Sequence, residues 1–137
     1  MPLVSVVIPC FNDAEFLGDA LASLCAQTLQ DWECIVVDDG STDETAAVAA
    51  MRAGEDKRIR YLWQANSGLS AARNAGLAVC GGQYVQFLDA DDMLEPRKLE
   101  FHADTLAQEP AVDIVYGDAY TIPRQWGGAE TDHKRPF

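Results

Sequence analysis

Leu3-Val4-Ser5-Val6-Val7-Ile8-Pro9 and, one helix's length later, Trp32-Glu33-Cys34-Ile35-Val36-Val37-Asp38 are the stretches that decide the fold. Both are nearly continuous apolar and β-branched runs, the mark of strands covered on both faces rather than on one. Pro9 closes the first strand. Between the two, Phe16, Leu17, Ala20, Leu21, Leu24 and Cys25 recur at helical spacing across Ala14 to Gln27, with Asp13 placed as an N-cap. A strand, a helix and a second buried strand within forty residues of one another form the opening of an alternating α/β chain.

The alternation continues. Ser41 followed by Glu44 reads as a capping box, so a helix starts there, runs to about Arg52 and stops at Gly54. Ile59 to Gln64 is a third strand and Asn66-Ser67-Gly68 a turn. Leu69, Ala72, Gly76, Val79 and Cys80 mark one face of a helix closed by Gly81-Gly82. Tyr84 to Leu88 is a fourth strand. A helix with Pro96 in its first turn ends before Pro110, and Val112 to Tyr116 reads as a fifth strand. Asp118 to Phe137 has no clear period. Short links between strands and helices imply right-handed crossovers and a mainly parallel sheet, a three-layer α/β/α sandwich. Residues 1–117 form the core and residues 118–137 a loop or tail.

Charge and cysteine content narrow the function classes. Among 137 residues, 22 are acidic and 10 basic, a formal charge of −12. Such a surface repels a nucleic-acid backbone or an anionic membrane. An anionic substrate then needs local help from a cation or from aimed N–H groups. The first apolar run is too short for a membrane span, and Met1-Pro2 lacks a basic leader. Cys10, Cys25, Cys34 and Cys80 form no metal-ligand spacing. Cys25, Cys34 and Cys80 lie in apolar stretches and read as buried, reduced thiols, which suits a cytoplasmic protein.

The carboxyl ends of parallel strands are where α/β sheets bind ligands. Two acidic clusters fall there: Asp38-Asp39 after the second strand and Asp89-Ala90-Asp91-Asp92 after the fourth. One aspartate is readily explained as a turn or cap residue. Three carboxylates within four residues repel one another, and Mg²⁺ or Mn²⁺, which take oxygen ligands, would relieve that. Asp38 and Asp39 can accept hydrogen bonds from a base N–H or a ribose hydroxyl. Arg73 follows the Asn66-Ser67-Gly68 turn in the second turn of its helix. It is either a solvated cation or a fixed partner for a diphosphate. Neither GxGxxG nor GxxxxGK[ST] occurs, which disfavours dinucleotide and P-loop binding.

Val6-Val7-Ile8-Pro9-Cys10-Phe11-Asn12, Val37-Asp38-Asp39-Gly40-Ser41-Thr42-Asp43, Asn66-Ser67-Gly68 with Ala72-Arg73-Asn74, and Asp89-Ala90-Asp91-Asp92 together resemble the family 2 glycosyltransferases of the GT-A fold. The resemblance runs from about Pro2 to Tyr116, and its specificity comes from four weak motifs in register. It implies that this is the nucleotide-sugar-binding part of such an enzyme, with a UDP-sugar as donor. Asp39 then contacts the base, typically uracil, with Asp38 beside it. The Pro9 to Asn12 loop, with Pro9, Phe11 and Asn12, lines the nucleotide pocket, Arg73 lies near the nucleotide and phosphates, and Asn66 and Ala90 border the donor. Asp89 and Asp91 form the DxD pair, Asp91 contacting Mn²⁺ or Mg²⁺ directly and Asp89 lying near the ribose, with Asp92 as an extra acid. The acceptor would be a saccharide or a lipid-linked hydroxyl, which adds the inner membrane face to the cytoplasm as a location for a longer protein.

In that family the general base is a carboxylate farther along the chain, and the outcome is usually inversion. Asp118, Glu130 and Asp132 are the only acids after the fifth strand, and His102, on a helix surface, and His133, in the tail, are poorly placed. The base is therefore expected outside this chain, leaving residues 1–137 able to bind donor but not to transfer sugar, and prone to self-association where apolar surface is uncovered. A non-catalytic nucleotide-binding module of the same fold is one alternative. A Mg²⁺-dependent nucleotidyl or phosphoryl transferase is another, although the basic Gly-rich phosphate loop it calls for is absent.

Overall fold

The computed structural model describes residues 1–119 and 121. Four strands and four helices alternate: β1 (Val4–Cys10), α1 (Ala14–Cys25), β2 (Trp32–Asp38), α2 (Thr45–Glu55), β3 (Ile59–Trp63), α3 (Leu69–Val79), β4 (Tyr84–Phe87) and α4 (Lys98–Gln108). All pairings are parallel, in the order β3-β2-β1-β4. β1 and β2 are the central strands, which is why their sequences are apolar on both faces.

The sheet sorts its side chains by strand parity. Val4, Val6, Ile8, Trp32, Cys34 and Val36 face α1, α2 and α4 and form the larger core with Leu17, Leu21, Leu24, Ala49 and Leu99. Val7, Ile35 and Val37 face α3 and pack on Ala72. The result is the expected α/β/α sandwich with a parallel sheet.

Several boundaries move, each for a physical reason. β1 continues through Pro9, which pairs with Val37. The carbonyl of Val7 accepts from the amide of Leu88, so odd residues of β1 point their backbone toward β4. The β4 ladder ends at Val7–Phe87, so the N–H that Pro9 lacks has no partner to lose. α2 begins at Thr45, not Ser41, and runs through Gly54 to Glu55. The capping box does not form, because the Ser41 hydroxyl is taken by another loop. Asp13 precedes α1 without a side-chain cap bond. Cys34 and Cys10 are buried, but Cys25 is exposed and Cys80 half-buried. The expected fifth strand is absent: Val112 to Tyr116 joins no ladder, and Ile114 and Tyr116 are 79% and 91% exposed. Alternating apolar residues confer strand propensity, but a strand exists only where a neighbour supplies its hydrogen bonds. Glu130, Asp132, His133 and most of the expected tail lie outside the described residues.

Gly76 brings α3 down onto β1. A Cβ there would collide with Val7 Cγ1 and lie 3.3 Å from Val37 Cγ2. Helix propensity alone would make Gly76→Ala stabilising by about 1 kcal/mol. Overpacking a core costs about 1–3 kcal/mol and wins here. Chemical denaturation of Gly76→Ala is expected to show a lower midpoint, and a higher one would overturn this account of the interface. No helix among the described residues is long and apolar enough to cross a membrane.

Candidate functional site

The chain steps from β1 to β2 to β3 in one direction, then returns to lay β4 on the other side of β1. Such a switch point opens a crevice at the carboxyl ends of the strands on either side of it. A cleft of about 480 Å³ lies there, within the range of roughly 300–1,000 Å³ common for ligand sites. Pro9, Cys10, Phe11 and Asp13 come from the end of β1, Asp39 from the end of β2, and Asn66, Gly68, Leu69 and Ala72 from the entry to α3. Asp89, Ala90 and Asp91 come from the end of β4. Because β1 lies between β2 and β4, Asp39 and the Asp89–Asp91 pair flank the cleft from opposite sides.

The two adjacent acids of β2 part company. Asp38 is buried and turns away from the cleft, accepting from the Ser41 amide at 2.8 Å and the Tyr61 hydroxyl at 2.6 Å. Burial, with help from that bond, pushes the Tyr61 phenol up to about 12, so it stays a donor. Asp39 is only 4% exposed, yet it borders the cleft. Its Oδ1 accepts from Gln64 Nε2 at 2.6 Å and from the Ser67 amide at 2.9 Å, and its Oδ2 from the Gly68 amide at 2.8 Å. Burial pushes its carboxyl up, but these three donors outweigh that and hold it below the usual range. Gly40 allows the arrangement. Its φ is +77°, and a Cβ would approach the Asn66 amide to 2.8 Å, so the loops after β2 and β3 meet backbone to backbone.

A second knot ties the loop after β1 to the loop after β2. The Asn12 amide donates to Ser41 Oγ at 2.9 Å, and Asn12 Oδ1 accepts from the Thr42 amide at 2.8 Å. Asn12 adopts φ 59°, a left-handed conformation that asparagine tolerates. Asp43 is shared between two helices. Its Oδ2 accepts from the Ala14 amide at the start of α1, and its Oδ1 from the Thr45 amide and hydroxyl at the start of α2. Burial pushes its carboxyl up, but these bonds together outweigh it and hold Asp43 below the usual range. One carboxylate thus caps two helix N-termini, doing what Asp13 and Ser41 were expected to do separately.

On the β4 side, Arg73 donates to Asp89 Oδ1 at 2.8 Å and lies over the Phe87 ring, 5.6 Å from its centroid. Arg73 Nε is buried without a hydrogen-bond partner. Asp92 is pushed up by partial burial and by the charges of Asp91 and Asp89. No group of three or more His, Cys, Asp or Glu side chains is set to hold a metal ion among the described residues. Asp89 and Asp91 nevertheless suit a hard divalent cation. They are oxygen donors side by side on the cleft wall, and their mutual repulsion is felt at Asp92. Mg²⁺ and Mn²⁺ commonly complete their shells with phosphate oxygens and water rather than with protein. Cys10 borders the same cleft, but burial and then the charges of Asp13, Asp38 and Asp43 drive its thiol far up, so it is a neutral wall and not a nucleophile.

Of the residues singled out from sequence, the cleft gathers Pro9, Phe11, Asp39, Asn66, Asp89, Ala90 and Asp91. Asn12, Asp38 and Arg73 stand behind the wall and hold it. Cys10 lines it too, as part of the Pro9 to Asn12 loop, while Asp13, Gly68, Leu69 and Ala72 line the cleft without having been expected there. Gln64 and Asp43 were not expected either, since a lone polar residue in a loop carries no signal of what it bonds.

Residues 5–135 match the family described as Glycosyl transferase family 2. The chain is 39% identical over 115 residues to the uncharacterized glycosyltransferase EpsJ of Bacillus subtilis (strain 168), covering 84% of this chain and 33% of that protein. It is 34% identical over 125 residues to the chondroitin synthase of Escherichia coli, covering 91% of this chain and 18% of that one. Among solved structures it resembles S. aureus TarS in complex with UDP-GlcNAc, with TM-score 0.73 and 28% identity over 79% of this chain and 32% of that one. It also resembles the mannosyltransferase PcManGT of Pyrobaculum calidifontis in complex with GDP-Man and Mn²⁺, with TM-score 0.68 and 27% identity over 77% of this chain and 32% of that one. The chain therefore spans a third or less of these proteins.

Proposed function

This chain belongs to glycosyl transferase family 2, and on that premise we propose that its cleft binds a nucleotide-diphosphate sugar, with UDP as the nucleotide, for transfer to a saccharide or lipid-linked hydroxyl. The observation that carries the reading is the pairing across one cleft of a fixed, ionised Asp39 with Asp89 and Asp91. A base and a diphosphate make opposite demands, and the two sides meet them separately.

Asp39 is the acceptor for uracil N3–H. A carboxylate has about four lone-pair sites, and the three donors already on Asp39 leave one free while fixing its direction. Phe11, exposed at the rim, and Pro9 flank the base. Asn66 and Ala90 border the remainder of the donor, while Asn12 and Asp38 hold the loops. Asp89 and Asp91 hold Mn²⁺ or Mg²⁺, which when bound neutralises charge on the departing diphosphate. Arg73, behind the wall, orients Asp89 through their ion pair and adds positive charge on the diphosphate side of the cleft.

The transfer breaks the bond from the anomeric carbon to the β-phosphate oxygen. The acceptor hydroxyl forms the new bond from the opposite face, inverting the centre, and its proton passes to a carboxylate base. We assign that base to no residue among those described; Asp118 is exposed, well away in sequence from the cleft walls. The described residues are accordingly read as the donor-binding part. Four unpaired thiols support a cytoplasmic setting, at the inner membrane face where the acceptor is lipid-linked. Val85 and Phe87, exposed on the outermost strand β4, support self-association.

Calorimetry with UDP, with and without Mn²⁺, tests the metal assignment. Mn²⁺ is expected to strengthen UDP binding to the wild type, and Asp91→Asn to abolish that gain. Equal affinities for both proteins in both conditions would overturn the assignment. A product assay with labelled nucleotide sugar separates transfer from binding alone and from nucleotidyl transfer.

A further inference from the structure

We propose that Gln27, at the far end of α1 from the cleft, is a positioning residue for the Asp89–Asp92 segment. The proposal rests on the reading that Asp89 and Asp91 hold the divalent cation. No hydrogen bond or ion pair to another side chain holds Asp91 or Asp92 among the described residues. Their placement depends on how the chain is fixed on either side of them. On the near side, Leu88 donates its amide to the Val7 carbonyl, and Leu88 and Ala90 are buried in the larger core. On the far side, no strand or helix begins until Lys98. Residues 93–97 must be anchored by something else.

Gln27 supplies that anchor. It is 1% exposed, one of very few polar side chains in the core. Its Nε2 donates to the Ser23 carbonyl at 3.2 Å and to the Glu95 carbonyl at 2.8 Å. Its Oε1 accepts from the Leu99 amide at 3.0 Å. That amide belongs to the first turn of α4, which has no side-chain cap of its own. Both amide hydrogens and the carbonyl of Gln27 are thus in use, and they grip the segment at its middle and its end. Two flanking bonds reinforce the grip. The Leu94 amide donates to Ser23 Oγ at 3.0 Å, and the Thr28 amide to the Pro96 carbonyl at 2.8 Å.

A core position filled by an amide carries a liability that leucine would not, since each partner is orphaned if the amide is lost. A fully satisfied buried network specifies one arrangement of the chain in return. Here the chain so specified runs directly into the carboxylates of the cleft. Gln27 touches no ligand; it acts through the backbone of residues 94–99.

Gln27→Leu and Ser23→Ala, measured by calorimetry with UDP in the presence and absence of Mn²⁺, test this, with thermal unfolding run alongside. The Mn²⁺-dependent gain in UDP affinity is expected to fall by about 10-fold or more in Gln27→Leu, as for other residues that orient metal ligands. UDP affinity without metal is expected to stay within about twofold, because the Asp39 side of the cleft is untouched. Ser23→Ala, which loses one bond to the 93–97 segment and one within α1, should show a smaller loss of the same kind and decides the matter if Gln27→Leu does not fold. A merely structural role would lower the unfolding temperature while leaving the gain intact, or weaken UDP equally in both conditions; either result overturns the proposal. A wild type with no Mn²⁺ gain overturns the metal reading itself, and Gln27 then has nothing to position. A wild-type gain that persists in both variants overturns the role of Gln27 and leaves the metal reading standing.

Discussion

Asp39→Ala is expected to weaken UDP binding by roughly 10- to 150-fold, the equivalent of about 1.5–3 kcal/mol for a hydrogen bond to a charged group. The loss has two sources. The acceptor for the base is removed, and the Gln64 side chain and the amides of Ser67 and Gly68 lose their shared partner. The wall carrying Asn66 and Gly68 then loosens as well. Binding of pyrophosphate with Mn²⁺ should hardly change, because Asp89 and Asp91 approach from the other side of β1. Wild-type protein that binds GDP or ADP as tightly as UDP would overturn the uracil assignment while leaving the cleft as a nucleotide site.

Asp43→Ala is expected to reduce folding stability by about 1–4 kcal/mol, since losing a cap costs about 0.5–2 kcal/mol and this carboxylate caps two helices. The pH dependence follows from the sign of its shift. The folded protein holds the Asp43 and Asp39 carboxyls below their ordinary value. Their contribution is therefore present above the unfolded value near pH 4 and is lost as pH falls through the lower folded values. Denaturation midpoints of the wild type should fall from about pH 5 downward, and those of Asp43→Ala should fall less steeply. Parallel profiles for the two proteins would show that Asp43 is not the shared cap. The effect on the cleft is indirect: Phe11 and Asp13 sit on the loop that Asp43 ties to α2.

What the sequence determined by itself is the alternation and its orientation. Periodicity is local, and so is the code for burial on two faces or one. Residues 3–9 and 32–38 therefore declare central parallel strands without reference to anything else. Because parallel strands all end on one side, the acids after β2 and β4 had to share an edge of the sheet, and most of the expected site residues met there. Partnership is not local, and only the tertiary structure could decide it. Asp38 and Asp39 are indistinguishable in sequence. One is turned inward to Tyr61 and the other to the cleft because successive residues of a strand point to opposite faces. Ser41 reads as its own helix's cap, but the Asn12 amide, 29 residues away in the chain, competes for its hydroxyl and takes it. Val112 to Tyr116 has a strand's composition and no ladder to join, since composition states what a residue prefers and only packing supplies the neighbour.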